Sequence, residues 1–207
     1  MSGKTTSNEV RPLVLGSSSR YRRALLERLG IPFQINAPDI DETALPAETP
    51  SDTALRLSEA KARAIAGRYV DALVIGSDQV ADCDGQAIGK PGNRDRAFVQ
   101  LRELSGRKVV FHTGLALVDA RSSRCRRAMV DVTSTFRTLT DDEIAAYLDR
   151  EQPYDCAGSV RSEALGIVLF DRIVSDDPTA LIGLPLIALI RMLREEGVDV
   201  LAPRIPG

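Results

Sequence analysis

Two short apolar runs, each broken off by a polar turn, set the terms for this chain. Pro12-Leu13-Val14-Leu15-Gly16 leads into Ser17-Ser18-Ser19 and then a helical pattern, Arg20 to Leu29, closed by Gly30 and Pro32. Ala72-Leu73-Val74-Ile75 ends in Gly76-Ser77-Asp78. Apolar runs without alternation read as strands buried on both faces, and such strands lie in sheets covered by helices. Other segments supply the covers. Ser51 or Asp52 is placed to cap a helix running to about Tyr69, and Asn93 to Leu104 reads as a helix stopped by Ser105-Gly106. Thr140-Asp141-Asp142-Glu143 is a capping box for a helix to about Leu148, and Pro185 opens a last helix that Gly197 ends. Residues 108–119 and 128–138 alternate as two long strands joined through Arg121 to Arg127, and Leu165 to Phe170 reads as a further strand. The layout is mixed α/β, in which ligands gather beyond the carboxyl ends of strands.

Size and charge exclude several classes. A chain of 207 residues is long enough for one domain, or two lobes sharing a cleft, without disulfide staples. Residues 1–10 read as a disordered tail and 11–207 as a single domain. Lys+Arg 27 against Asp+Glu 29 leaves a net charge of −2, which disfavours a nucleic-acid partner. The apolar run from Ala180 to Ile190 holds Gly183 and Pro185 and is too short to span a membrane. Cys83, Cys125 and Cys156 form no CxxC pair, which suits a reducing compartment and argues against zinc. With a polar start lacking a secretion signal, the expected location is the cytoplasm. His112 is the single histidine, so a multi-histidine metal centre is excluded and proton transfer falls to carboxylates. It sits beside Phe111 in a strand and reads as structural.

Several residues stand where chemistry would need them. Gly16 to Arg23 carries a strand end, small hydroxyl residues and the start of a helix, whose free amides bind anions such as phosphate. The plain alternative is a serine cap before a solvated basic turn. Lysines are only four: Lys4, Lys61, Lys90 and Lys108. Lys61 lies in the row of Leu57 and Ile65, on the flank of the apolar face, while Lys90 sits in a Gly-Lys-Pro loop. Either is a candidate phosphate clamp, or a snorkelling side chain and a loop lysine. Asp78, at the expected tip of its strand, is suited to hold a divalent cation or take a proton from water; its ordinary role would be a turn cap. Asp39 to Thr43 offers a second acidic source or an exposed acidic loop.

Together these residues resemble the Maf family of nucleotide pyrophosphatases, historically called septum formation proteins. The landmarks are Ser17-x-Ser19-x-x-Arg22, Asp41-Glu42-Thr43, Ala60-Lys61-Ala62, Gly76-Ser77-Asp78-Gln79 and Gly89-Lys90-Pro91, followed by Ser105-Gly106, Thr113-Gly114, Ala157-Gly158-Ser159 and Ile182-Gly183-Leu184-Pro185. The resemblance runs from about Leu13 to Gly197, and the order and spacing of the pieces carry it. It implies an elongated mixed sheet flanked by helices, in two lobes around a cleft (Maf/ITPase-like). It also implies metal-dependent hydrolysis of a nucleoside triphosphate to the monophosphate and pyrophosphate. Carried over by position, Asp78, Lys61 and Lys90 form the catalytic set. Ser17, Ser19 and Arg22 bind substrate phosphates, and Glu42 with Asp78 places a divalent metal such as magnesium, manganese or cobalt. Substrate is then a small nucleotide, and a homodimer is compatible with the family.

Three positions bear on the base. Where dTTP/UTP-hydrolysing members have arginine, threonine and glutamine, this chain has Tyr21, Gln79 and Glu163, as in the branch that resembles 7-methyl-GTP pyrophosphatases. Methylation at N7 makes guanine cationic, so a tyrosine face attracts it, and a carboxylate at Glu163 suits the N1–H and N2–H donors of guanine. The sequence departs from that branch at Gly16, where alanine is usual, at Arg20, where proline is usual, and at Tyr21, where tryptophan is common. Expected alternatives are dTTP or UTP hydrolysis, a nucleotide-binding regulator of cell division without significant turnover, and an RNA-binding module built on Arg121 to Arg127.

Overall fold

A computed structural model describes residues 11–202; the expected tail at residues 1–10 lies outside them. The elements run β1 (Leu13–Leu15), α1 (Arg20–Glu27), β2 (Gln34–Ile35), α2 (Pro50–Ala66), β3 (Leu73–Cys83), β4 (Gln86–Ile88) and α3 (Arg94–Leu104). They continue with β5 (Lys108–Asp119), β6 (Cys125–Phe136), α4 (Asp141–Glu151), β7 (Phe170–Val174) and α5 (Leu186–Glu195). One mixed seven-stranded sheet has the order β2-β1-β3-β5-β6-β7, with β4 also paired to β3. β1 is parallel to both β2 and β3, and the remaining pairs are antiparallel.

The sheet is covered differently at its two ends. At one end Leu13, Leu15, Leu73 and Ile75 pack beneath α1 and α5, with Leu25, Leu26, Leu189 and Leu193 filling the layer. Val14, Val74, Ala116 and Val118 face the other way, against Ala62, Ile65 and Ala66 of α2. At the far end Ala81, Cys83, Phe111 and Phe136 pack against α3 and α4. The alternation of side chains along β3 thus serves three helical covers.

β3 corrects the sequence reading. The expected strand stopped at Ile75, with Asp78 at its tip. Instead β3 continues to Cys83, because β5 pairs with it without interruption from Leu73 to Asp82. Asp78 is therefore mid-strand. What ends near Ile75 is the pairing on the opposite edge. β1 stops at Leu15, opposite Ile75, and Gly16 N–H donates to Ile75 O at 2.7 Å. β4 joins only at Ala81. Between them, Gly76 to Val80 have no strand partner on that side among the described residues, and the sheet opens there.

Other boundaries differ from expectation: β6 runs Cys125–Phe136 rather than 128–138, and α4 continues to Glu151 rather than ending near Leu148. α2 is capped by Thr49, whose Oγ1 accepts from Asp52 N–H at 3.1 Å, with Pro50 at the first helical position. Neither Ser51 nor Asp52 is the cap, and the helix ends at Ala66 rather than near Tyr69. Leu165–Leu169 is a 3₁₀ turn, with the strand beginning at Phe170. The first backbone donors there are taken outside the sheet: Gly166 N–H reaches Arg161 O at 3.0 Å and Leu165 N–H reaches Glu151 Oε2, on α4, at 3.0 Å. The capping box at Thr140 and the helix starting after Asn93 form as expected.

Arg121, Arg124, Arg126 and Arg127 are not a free basic tip. They pair with Asp71, Glu196, Glu195 with Glu196, and Glu59 respectively. Asp119 belongs to the same end and meets Arg11 at 2.6 Å. Burial pushes the Asp119 carboxyl up, but the Arg11 guanidinium and donors from Ser122 and Arg121 outweigh it and hold the group at about 2. A lowered carboxylate stabilises the fold fully above its ordinary value and loses that contribution as it protonates. Stability should therefore fall as pH drops from about 4 through about 2, and less steeply in Asp119→Asn; denaturant midpoints against pH measure this.

α2 approaches the sheet through two glycines. A Cβ on Gly76 would lie 2.7 Å from Ala62 N, and one on Gly114 would lie 2.8 Å from Ala54 C. Both are closer than packed atoms tolerate, so Gly76→Ala must lift the helix. A cost of about 1–3 kcal/mol is expected, read as a lower denaturation midpoint with unchanged slope.

Candidate active site

The opening along β3 leads into a cavity of about 700 Å³. Its walls include Ser17, Ser19, Tyr21, Arg22, Glu42, Lys61, Asp78, Gln79, Lys90 and Glu163. Every site residue expected from sequence thus faces one space, although they are spread over 147 positions from Ser17 to Glu163. Five parts of the chain deliver them: the β1–α1 turn, α2 with the loop before it, the middle of β3, the loop between β4 and α3, and the segment after α4.

The β1–α1 turn supplies donors. Ser19 caps α1, and its Oγ accepts from Arg22 N–H at 3.4 Å. Ser17 Oγ accepts from Ser19 N–H at 3.1 Å and lies 3.4 Å from Arg22 Nη1. Both hydroxyls accept from the chain, so each keeps its own proton to give to an anion. Arg22 Nε donates to Gly183 O at 2.8 Å. Burial pulls the Arg22 guanidinium below its ordinary value, while the charges of Asp78 and Glu42 oppose the shift.

The centre is an ionic cluster. Lys61 Nζ lies 2.6 Å from Asp78 Oδ1 and 2.9 Å from Glu42 Oε1. Lys61 and Asp78 are buried, at 5% and 8% exposure, whereas the Glu42 side chain is 57% exposed. The Lys61–Asp78 contact is possible because α2 lies close on Gly76 and Gly114. Asp78 is covered by protein on most sides and meets solvent through the cavity. Lys90 is exposed at the cavity rim, in a loop tied to α3 by Gln100 Nε2 donating to Gly89 O at 3.1 Å.

The opposite wall is made of backbone. Gly183 adopts a left-handed φ of +114° and turns its carbonyl toward the site, where it also meets Ser77 Oγ at 2.9 Å. Gln79 Nε2 lies 2.9 Å from Ala180 O and 3.1 Å from Leu181 O. The amide nitrogen is committed to this wall, so Oε1 is the atom left for a ligand. Asp177, itself buried, holds the segment in place by accepting from Thr179 N–H and Ile187 N–H.

At the other end Tyr21 stands between Asp155, Arg20 and Arg161. Its hydroxyl lies 3.3 Å from Asp155 Oδ1 and accepts from Arg20 Nη2 at 2.6 Å. Burial pushes the phenol up to about 12, opposed by Arg20, so it stays neutral. Glu163 is 3.4 Å from Arg161 Nε, and Arg161 is anchored by Glu151 at 2.8 Å. Burial also raises the Cys156 thiol to about 11, which leaves it a poor nucleophile. His112, away from this cavity, bridges Asp131 at 2.8 Å and Asp82 at 3.2 Å, in keeping with a structural role.

A family model described as Maf-like protein matches residues 12–196. The chain belongs to the Maf family. Maf relatives include proteins named 7-methyl-GTP pyrophosphatase from Thiobacillus denitrificans (58% identical, covering 91% of this chain and 94% of that one) and Aromatoleum aromaticum (58%, covering 90% and 96%). Another with that name, from Cupriavidus metallidurans, is 57% identical and covers 92% and 96%. Among solved structures, a HAM1 protein from Coxiella burnetii aligns with a TM-score of 0.53 at 16% identity, covering 89% of this chain and 99% of that one. That likeness concerns the fold: a mixed elongated sheet flanked by helices around a cleft.

Some contributors to this Maf site had no signal of their own in the sequence. Asp155 and Arg161 meet Tyr21 across more than a hundred residues, and no spacing rule predicts it. Ser77 and Thr113 stand inside recognisable motifs, yet their bonds to Gly183 O and Ala180 O appear only in three dimensions. The Lys61–Asp78 pair carries a prediction. Lys61→Met leaves a mostly buried carboxylate unpaired and should cost about 1–3 kcal/mol, since one side of Asp78 opens to the cavity. Glu42→Gln, at an exposed group, should change stability by less than about 0.5 kcal/mol. Denaturant midpoints of the two variants test the contrast.

Proposed function

We propose that this chain hydrolyses 7-methyl-GTP to 7-methyl-GMP and pyrophosphate in the cytoplasm. The observation that carries the reading is the meeting, in one cavity, of phosphate donors at one end and an aromatic–carboxylate pair at the other. The names of the Maf relatives support the same substrate, and the free cysteines suit a reducing compartment.

At the phosphate end, the α1 amides, the Ser17 and Ser19 hydroxyls and Arg22 bind and orient the triphosphate. Lys61 and Lys90 add positive charge where negative charge builds during cleavage. Asp78 receives a proton from the attacking water, whose oxygen bonds to the α-phosphorus as the bond to the pyrophosphate oxygen breaks.

The donor set also fits a divalent cation. Asp78 and Glu42 converge on one ammonium at 2.6 and 2.9 Å, so their oxygens lie close together. Magnesium-type ions need only one or two carboxylates when phosphates and water complete the shell. Among the described residues no group of three metal-ligating side chains converges, which suits an ion held jointly with substrate. Such an ion, magnesium, manganese or cobalt, would polarise a phosphoryl oxygen.

At the base end, Tyr21 offers a π face and Glu163 an acceptor pair for N1–H and N2–H of guanine. Uracil would set a carbonyl oxygen against that carboxylate. Pyrophosphate release should be fastest with 7-methyl-GTP in a panel containing GTP, UTP and dTTP. Asp78→Asn should fold normally and lose about 10²–10⁴-fold in turnover. A preference for UTP or dTTP would overturn the base assignment. Near-normal turnover of Asp78→Asn would overturn its role as base, and tight nucleotide binding without pyrophosphate release would favour a regulator.

A further inference from the structure

The Tyr21 face that should attract a cationic base is already close to two cations of the chain itself. The Arg20 guanidinium carbon lies 4.7 Å from the ring centroid and that of Arg161 lies 5.5 Å away. The two differ in how they are held. Arg161 is fixed between Glu151 and Glu163, with its side chain 33% exposed, and does not line the cavity. Arg20 does line the cavity, and its side chain is 67% exposed. Its ties are the hydroxyl of Tyr21 at 2.6 Å and the exposed Asp155 at 3.7 Å. Arg20 is therefore the cation that can leave.

We propose that Arg20 is a specificity-determining residue that competes with a cationic base for Tyr21 and widens the pocket's acceptance toward neutral, unmethylated guanine. The inference rests on the proposed guanine-nucleotide reading. A 7-methylguanine ring stacking on Tyr21 must displace the guanidinium, and a guanidinium that stays near repels it. A neutral purine meets no such repulsion, and the planar Arg20 fork can stack against it. Arg20 thus lowers the affinity for the methylated base and raises it for the unmethylated one. Tyr21 recognises the aromatic ring in both cases.

The test compares Arg20→Gln and Arg20→Lys with the parent chain. The readouts are kcat/KM for 7-methyl-GTP and for GTP at fixed ionic strength, and competitive inhibition by 7-methylguanosine and guanosine, which lack phosphates. Arg20→Gln is expected to raise the 7-methyl-GTP to GTP ratio about 3- to 10-fold, through KM, with tighter inhibition by 7-methylguanosine. Arg20→Lys, which keeps the charge, should stay near the parent ratio. Equal losses on both substrates with unchanged nucleoside inhibition would make Arg20 a phosphate contact and overturn the proposal. An unchanged ratio in Arg20→Gln, or an equal rise in Arg20→Lys, would overturn it as well. A parent chain that hydrolyses neither guanine nucleotide would overturn the underlying reading too, and this shows before any variant is made.

Discussion

The distance between α2 and the sheet governs the site. Lys61 reaches Asp78 only because the helix lies directly on the backbone of β3 and β5, and Gly76 and Gly114 leave no Cβ in the way. The facing helical residues are small as well: Ala54, Ser58 and Ala62 are all buried on this surface. Ser58 Oγ donates to Ala54 O at 2.7 Å, so this polar group needs no partner from the sheet. A larger residue at either glycine would separate the ammonium from the carboxylate, leaving two mostly buried charges with only the cavity to compensate them. The same contact is thus a packing contact and an electrostatic one.

The second constraint is the uneven pairing of β3. One edge is fully paired to β5, which keeps the strand straight and fixes the direction of Asp78. The other is shared by β1 and β4, and neither covers the middle. Alternation carries the same consequence along the backbone. Ile75 points its carbonyl to the β1 edge, so the peptide groups of Ser77 and Gln79 point to that edge too. A rigid strand therefore presents both side chains and backbone to the opening. Sites built on paired strands hold their geometry better than sites built on loops.

Local rules made much of this legible. Local signals mark the Thr140 cap and place the starts of α1 and α3 to within one residue, since each such signal acts within four residues of itself. The Asp78 misplacement has a different origin. Gly76-Ser77-Asp78 has the composition of a turn, and only the partner β5, distant in sequence, turns it into strand. The apolar run from Leu165 failed in the opposite sense. Its composition favours strand, but Glu151 and the Arg161 carbonyl take its first amides. Tertiary hydrogen bonds overrode local preference in both cases. Residue chemistry singles out Ser17 to Arg23, Lys61, Lys90 and Asp78 one by one, and the family resemblance joins them into one set that spacing alone cannot connect.

The two ends of the cavity differ in how their charges are held, and on the proposed reading this separates catalysis from base choice. At the end proposed to take the phosphates the two buried cations are fixed, Lys61 by two carboxylates and Arg22 by the Gly183 carbonyl and Ser17. Those groups are preorganised, so the triphosphate of the proposed substrate would meet them without much reordering. At the base end the arrangement is looser. Arg20, Asp155 and the Tyr21 hydroxyl form an exposed chain of contacts that solvent screens and that costs little to rearrange. On that reading, substitutions there alter which ring is welcome and leave the Lys61–Asp78 geometry untouched, because among the described residues no hydrogen bond or ion pair of that chain runs through α2. A base with a different charge can thus be accommodated by moving one surface side chain, whereas a change in the chemistry would require moving a helix.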